Sequence, residues 1–359
     1  MFRSILLSSA AAIVTAGLAC ASQAADLKQV GTIKVPGVPL EGYDISFVDQ
    51  QGNRYYLADR SNKAVDIFDV KTGEMITRAP GFVGQQKSND NSGPNGVVLA
   101  GDDLWAGDGD STVKVIDPKT GKIVDTISTG GKNRVDEMAY SPTAHTVLMA
   151  NNADDPPFAS LISTLPGHKI IAKISFPDAT DGAEQSVFDA TTNKFYLSIP
   201  EIKGDKAKGG VAVIDPTNGN LDKTLPIDGC HPAGLVQGPG TNLLLGCTAG
   251  GKDSGLPPEF VVITTDGTVV KTIPGLGGAD MVAYNPKTGQ YYTASRDMPD
   301  GPELGVIDAK TNALVQRIKL PGGNPHSVAA SEANNHVFLP LSAKGGGCNG
   351  CVAIFAPQD

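Results

Sequence analysis

Short runs of alternating apolar residues recur along the chain, and each run ends in a turn sequence. Residues 113–121 read VKVIDPKTG, and residues 211–219 read VAVIDPTNG. β-Branched residues at this spacing favour a strand, and the Asp-Pro-x-Thr-Gly ending favours a tight turn in which Gly or Asn takes positive φ. Related segments occupy residues 65–73 and 304–312. The pattern therefore predicts a series of β-hairpins rather than helices.

A second pattern marks the strand that opens each repeat. A polar start with Gly or Pro leads into a short strand, and a second strand follows after a tight turn, as in residues 232–247. Four-stranded units that recur at this spacing are typical of β-propeller blades. The seven predicted inner strands begin near Gly42, Pro94, Asp136, Glu184, His231, Asp280 and Pro325.

The last repeat contains one strand too few. The chain ends after a strand at residues 352–355, whereas residues 29–35 form an additional strand before the first repeat. Pairing of these two segments would close the ring and remove its open sheet edges. We therefore predict an all-β protein, a seven-bladed β-propeller formed by residues 25–359 as a single domain, closed by pairing of the N-terminal strand with the last blade.

The repeat V-x-V-I-D-x-x-T-G, followed by a strand and a Gly- or Pro-led inner strand, resembles the YVTN-type seven-bladed propeller family of exported bacterial proteins. The resemblance covers residues 29–357. It implies the fold and export from the cytoplasm. That family includes binding scaffolds, dehydrogenase subunits and metal-dependent enzymes, so the resemblance does not imply one activity.

The composition agrees with this fold and argues against several functions. The chain contains 43 Gly and 25 Pro with only 19% charged residues, which suits short strands joined by many turns. The net charge of −9 argues against a nucleic-acid partner, because phosphate binding requires a basic surface. The glycine run at 345–347 does not join a strand to a helix, so no nucleotide site is predicted.

The N-terminus has the features of a secretory signal peptide. Arg3 supplies a positive charge, and residues 5–19 are apolar but too few for a membrane anchor. Small residues precede Ala25, so cleavage is predicted to remove residues 1–24; lipoprotein processing at Cys20 is the alternative. No later segment is apolar enough to span a membrane. The expected product is a monomeric periplasmic protein.

Four cysteines follow the signal sequence, and an even number in an exported chain favours disulfides. Cys230 opens one strand and Cys247 ends the next, so the hairpin should bring them together. Cys348 and Cys351 form a CxxC in a Gly-rich loop, with Val352 where a c-type haem would require His. A redox-active CxxC usually opens a helix, and none is predicted here. We expect two structural disulfides and no haem.

The predicted blades place the long loops on one face of the ring. Segments such as 151–158 and 249–259 are long and irregular, whereas the turns on the opposite face are short. Loops held by a rigid scaffold commonly carry functional sites. Because the inner strands begin at this face with acidic residues and histidines, we expect a site at the channel mouth. The alternative is loop variation without function.

Imidazoles and carboxylates that converge on a channel suit a divalent metal ion. Imidazole favours zinc and similar ions, whereas carboxylates favour calcium or magnesium; the alternative is a polar channel that holds only water. The predicted metal ligands are Asp136, Glu137, Glu184, His231, Asp280 and His326.

His231 and His326 are also the predicted catalytic residues, because they are the only histidines at the inner-strand starts. Basic residues of the rim, among them Arg134 and Lys344, could together form a cationic ring that holds an anionic ligand. The alternative, favoured for each residue taken singly, is a solvated surface charge. The predicted ligand-binding residues are Glu41, Asp44, Arg60, Asn95 and Arg296.

Two segments, LEG at residues 40–42 and GPNGV at residues 93–97, are similar to parts of the senescence-marker and gluconolactonase hydrolases. This weaker resemblance implies a divalent ion held by Glu41, Asn95 and Asp280. Asn95 departs from that pattern, because it lies nearer to the start of the chain than in those enzymes.

The combined prediction is a periplasmic propeller that binds a small molecule at the channel mouth, through a divalent metal. Hydrolysis or elimination beside a carbonyl is the activity that suits such a site. The alternatives are a non-catalytic scaffold for a periplasmic protein and a subunit of an exported redox complex. The sequence contains no nucleophile elbow, and it does not specify whether the protein is an enzyme.

Overall fold

The computed structural model describes residues 26–345 and 348–358. The predicted signal peptide lies outside these residues. Within them, the regular structure consists of β-strands and one short 3₁₀ helix, Asn89–Asn91. None of the helical structure described is long and apolar enough to cross a membrane.

Twenty-eight strands succeed one another along the described chain. The first thirteen are β1 (Leu27–Lys34), β2 (Ser46–Asp49), β3 (Arg54–Asp59), β4 (Ala64–Asp69), β5 (Met75–Pro80), β6 (Val97–Ala100), β7 (Asp103–Gly107), β8 (Thr112–Asp117), β9 (Lys122–Ser128), β10 (Met138–Ser141), β11 (Thr146–Asn151), β12 (Phe158–Ser163) and β13 (Ile170–Ser175).

The remaining fifteen strands are β14 (Ser186–Asp189), β15 (Lys194–Ile199), β16 (Lys208–Ile214), β17 (Leu221–Asp228), β18 (Pro232–Gln237), β19 (Asn242–Cys247), β20 (Glu259–Thr264), β21 (Val269–Pro274), β22 (Ala279–Asn285), β23 (Gln290–Ser295), β24 (Glu303–Asp308), β25 (Ala313–Lys319), β26 (Ala329–Ala330), β27 (Val337–Leu341) and β28 (Cys351–Pro357).

The strands form seven four-stranded antiparallel sheets, which are the blades of a propeller. Blades 1 to 6 each contain four consecutive strands, from β2–β5 in blade 1 to β22–β25 in blade 6. The first strand of every blade contacts the first strands of both neighbouring blades, so these seven strands surround a central channel. The fourth strands lie outermost, and β9 and β25 accordingly alternate exposed and partly buried residues. The predicted seven-bladed propeller is confirmed.

Blade 7 joins the two ends of the described chain. Its strand order is β1-β28-β27-β26, and β1 pairs antiparallel with β28 from Leu27 opposite Pro357 to Lys34 opposite Cys351. This pairing supplies the strand that the last repeat lacks. The predicted closure of the ring is therefore also confirmed.

Hydrophobic side chains between adjacent blades form the core. Tyr56 and Val65 of blade 1, for example, pack with Leu104 and Ile116 of blade 2, and all four are fully buried. Burial of each such side chain stabilises the fold by about 1.5–3 kcal/mol. Because every blade is packed on both faces, the ring presents a rigid frame to the residues at its axis.

Both predicted cysteine pairs lie at disulfide-bonding distance. The Sγ atoms of Cys230 and Cys247 are 2.02 Å apart, and those of Cys348 and Cys351 are 2.00 Å apart. The first pair ties the start of β18 to the end of β19, at the channel-mouth end of blade 5.

Candidate functional site

The channel opens on the long-loop face into a cavity of about 730 Å³. Residues that immediately precede the inner strands, or begin them, supply most of its charged lining. Nine of the predicted site residues line this cavity, namely Glu41, Asp44, Arg60, Asp136, Glu137, Glu184, Asp280, Arg296 and His326.

Asp44 occupies the centre of a hydrogen-bonded group on one side of the cavity. His326 Nε2 lies 3.0 Å from Asp44 Oδ1, and the Arg60 guanidinium pairs with the other carboxylate oxygen. The imidazole stacks on Tyr43 with a centroid separation of 4.8 Å. Burial alone would raise the pKa of Asp44, but Arg60 and the hydrogen bond from His326 outweigh it and lower that pKa. Asp44 therefore stays a carboxylate in this buried position.

Arg60 is engaged by the protein on all three guanidinium nitrogens. Besides its contact with Asp44, it donates to Asn95 Oδ1 from Nε at 3.0 Å and to Asn89 Oδ1 from Nη1 at 2.5 Å. Asn95 is fully buried and does not line the cavity. Its Nδ2 donates to the carbonyl of Val135 at 3.0 Å. Arg60 and Asn95 thus form a rigid support for Asp44.

Two further arginines pair with carboxylates across the cavity. Arg134 Nε lies 2.7 Å from Asp136 Oδ2, and Arg296 Nη1 lies 2.9 Å from Asp280 Oδ2. Burial opposes the charge on both arginines, but these carboxylates outweigh it and raise each arginine's pKa. The Arg134 side chain is only 13% exposed, so the expectation of a solvated surface charge is wrong. Lys344, at 75% exposed and paired with Glu41, agrees with that expectation.

Glu137, Glu184 and Asp280 form the most acidic part of the cavity. One carboxylate oxygen of each residue lies within 4.8 Å of those of the other two. Glu137 is 4% exposed, and its Oε2 has no hydrogen-bond partner among the described residues. Burial, together with the charges of Asp136 and Asp280, raises the pKa of Glu184 to about 8. Burial and then Glu184 raise the pKa of Glu137 as well.

His231 lies apart from the other predicted metal ligands and does not line the cavity. Its Nδ1 lies 2.7 Å from Thr248 Oγ1, and its Nε2 lies 3.3 Å from Asp181 and 3.9 Å from Glu201. The φ angle of 52° at this residue is unusual for a side chain of this size. Asp181, in the loop before β14, and Glu201, in the loop after β15, thus hold the imidazole away from Glu137, Glu184 and Asp280. The expected convergence of both histidines is not found.

The sequence analysis did not predict which side chains orient the acidic residues of the cavity. Asn152 Nδ2 donates to Asp136 Oδ2 at 2.7 Å and lies 3.3 Å from Glu184 Oε1, so it links two acids of the cavity. Arg134 acts on the same carboxylates from the neighbouring loop. Their positions in the sequence could have indicated this role. Arg134 stands two residues before a predicted inner-strand start, and Asn152 directly follows β11, so both lie at the channel mouth.

Comparisons with known proteins identify the fold but no family. No protein-family model matches the chain, and no curated protein sequence matches it. The resemblance to the YVTN-type family therefore stays a prediction. Among solved structures, a chain of hydrazine synthase from Kuenenia stuttgartiensis is similar, with a TM-score of 0.70 and 15% sequence identity. The match covers 90% of this chain and 97% of the other, and at this identity it shows a shared propeller fold alone.

Proposed function

We propose that the channel mouth binds one divalent metal ion through Glu137, Glu184 and Asp280, and that the ion binds a small polar molecule in the cavity above it. The observation that carries this proposal is the buried Glu137 Oε2, which belongs to a group of three converging carboxylates and has no hydrogen-bond partner in the part of the chain that the structure describes. A buried carboxylate oxygen without a partner is costly, and a cation would satisfy it.

The charge balance of the cavity supports a cation rather than an anion as the first occupant. Arg134 and Arg296 each have a carboxylate partner, whereas Glu137 and Glu184 have no cation within ion-pairing distance among the described residues. A divalent ion would neutralise those two charges. Three carboxylates offer only hard oxygen donors, so calcium, magnesium or manganese is favoured over zinc.

The ligand of this site would be a small molecule with a carbonyl or hydroxyl oxygen. Three protein ligands leave coordination positions open, and a metal ion there can polarise a carbonyl or activate water. Hydrolysis or elimination beside a carbonyl is the reaction class that this arrangement would support. His326, which Asp44 and Tyr43 orient in the same cavity, is the imidazole available as a base. The signal-like N-terminus and the two cysteine pairs support a periplasmic location for this function.

Metal analysis and thermal melting test the proposal. Protein purified without chelator should contain about one equivalent of a divalent metal, and chelation should lower its melting temperature. Re-addition of calcium, magnesium or manganese should restore it, because an ion that binds only the folded state stabilises that state. Glu184→Gln should lose this response, while Glu74→Gln, on an exposed turn before β5, should retain it.

Two results would overturn the metal site. One is protein that contains no stoichiometric metal and whose melting temperature none of these ions, nor zinc, changes. The other is a Glu184→Gln variant that binds metal as tightly as the wild type. A scaffold function would be indicated by a co-purifying protein that metal does not affect.

A further inference from the structure

The opposite half of the central channel contains a second cavity, of about 450 Å³, which differs in character from the first. Residues of the inner strands line it, and Glu137 is the one charged residue among those described. Blades 1 to 6 each contribute a partly exposed apolar side chain, namely Phe47, Leu99, Tyr140, Phe188, Val236 and Tyr284.

Packing within the blades holds the aromatic rings of this cavity in place. Phe188 contacts Phe195 of the next strand edge-to-face, with centroids 5.4 Å apart. Within blade 6, the ring of Tyr284 packs tilted against that of Tyr291, with centroids 5.0 Å apart. Rings that are already fixed lose little conformational entropy when a ligand packs on them. The apolar wall is therefore preorganised for a ligand.

Two polar atoms without partners lie at the inner end of this cavity. Ser186 is 5% exposed, and its Oγ has no hydrogen-bond partner among the described residues. Glu137 Oε2 is likewise buried without a hydrogen-bond partner among the described residues. Ser186 begins β14, and Glu137 immediately precedes β10, so both stand where the inner strands leave the channel mouth. Glu137 and Ile45 line both cavities.

We propose that this half of the channel is a second binding site, which takes a neutral hydrophobic small molecule carrying one hydroxyl or carbonyl group. The volume and the mostly apolar lining with few polar groups are those of a small-molecule site. The apolar body lies on the aromatic wall, and the polar group meets the Ser186 hydroxyl. An anionic ligand is disfavoured beside Glu137. The molecule enters from the short-turn face, so its binding does not require metal.

Competition with a homologous series of alcohols tests this site. Nile red, a neutral dye with a carbonyl group, should bind the wild-type protein in chelator with a saturable rise in fluorescence. Primary alcohols from butanol to decanol should displace it. Their affinity should rise about fourfold for each added methylene, because each buries more apolar surface. The increase should stop when the alkyl chain outgrows the cavity.

Variants on opposite walls locate the binding. Val236→Trp in β18 and Leu99→Trp in β6 would each fill part of the cavity and should weaken binding of hexanol at least tenfold. The matched control is Val124→Trp in β9, where the side chain is 58% exposed on the outer surface and binding should not change. Ser186→Ala should lower the affinity for hexanol about three- to tenfold while leaving that for 1-chlorohexane unchanged, since it removes one hydrogen bond.

The proposal is overturned if Nile red shows no saturable binding, or if the alcohols bind without dependence on chain length. It is equally overturned if either tryptophan variant melts like the wild type and binds hexanol with full affinity. Should neither tryptophan variant fold, the chain-length series and Ser186→Ala decide the matter. If alcohol affinity does not depend on chain length in that series, the site is rejected, whatever the outcome of the metal experiments.

Discussion

Replacing Glu137 with Gln should stabilise the metal-free protein and, at the same time, abolish its stabilisation by divalent ions. Glutamine keeps the shape of the side chain and removes one negative charge. In the metal-free protein the Glu137 side chain has one oxygen within 4.8 Å of oxygens of two other carboxyl groups, and the residue is 4% exposed. Both conditions make its ionisation costly, and its pKa is accordingly raised. In the metal-bound protein the same carboxylate would be a ligand. The two states therefore respond to the substitution in opposite directions.

The expected size of both effects follows from the geometry. Two ionised carboxylates at about this separation would repel each other by about 3 kcal/mol at an effective dielectric constant of about 20. This is the upper limit of the cost in the metal-free protein, because the raised pKa values of Glu137 and Glu184 allow a proton to be kept instead. Relief of this cost should raise the melting temperature in chelator by up to roughly 4 °C for a domain of this size. A metal ion at a hundredfold excess over its Kd stabilises the wild type by about 2.7 kcal/mol, or roughly 4 °C.

Differential scanning fluorimetry in chelator and in increasing calcium, magnesium or manganese measures both effects on one sample. Glu74→Gln carries the same chemical change on an exposed turn, and its melting temperature should follow the wild type under every condition. A Glu137→Gln variant that melts no higher than this control in chelator would refute the repulsion. A variant that keeps the metal-induced shift would refute the role of Glu137 as a ligand.

Three further predictions concern the frame around the site. Arg60→Ala should lower the free energy of unfolding by about 3–5 kcal/mol, because it leaves the buried Asp44 carboxylate without its cation; an unchanged urea midpoint would contradict this. Burial raises the pKa of Asp66 to about 7, so the folded state holds a proton that the unfolded state has released. Stability should therefore fall between about pH 4 and 7, by on the order of 4 kcal/mol, and urea unfolding of Asp66→Asn should show a flatter dependence. Replacing Cys230 and Cys247 with Ser opens a loop with a sequence separation of 17 and should cost about 3 kcal/mol. Replacing Cys348 and Cys351 with Ser opens a loop with a separation of only 3 and should cost less. Thermal melting of both double variants beside the wild type measures the two costs.

The fold could be predicted from the sequence because its signals are local. The turn after β8 closes with Gly121 at a φ of 70°, as the Asp-Pro-Lys-Thr-Gly sequence requires. Each such turn sets the register of two strands without reference to distant residues. The pairing of β1 with β28 is non-local, but it could still be predicted because counting strands left one missing and one spare.

The site could be predicted only as far as the repeat defines it. The repeat places Asp136 and Glu137 at the same inner-strand start. Asp136 nevertheless pairs with Arg134, whereas Glu137 lies beside the carboxyl groups of Glu184 and Asp280. His231 occupies an equivalent start, but Asp181 and Thr248 hold its imidazole elsewhere. Such differences depend on loops contributed by neighbouring blades. No pattern within a single repeat records them.

The sharing of blade 7 between both ends of the described chain has a consequence for biosynthesis. β28 is made after every other strand of the ring, and it lies between β1 and β27 in its sheet. Until β28 reaches the compartment in which the chain folds, β1 has no neighbour to pair with, and the earlier blades can only form an open arc. A premature stop codon just before Cys351 would therefore deprive the ring of two strands rather than one. Cellular quality control should treat that nearly complete product as it treats one truncated much earlier.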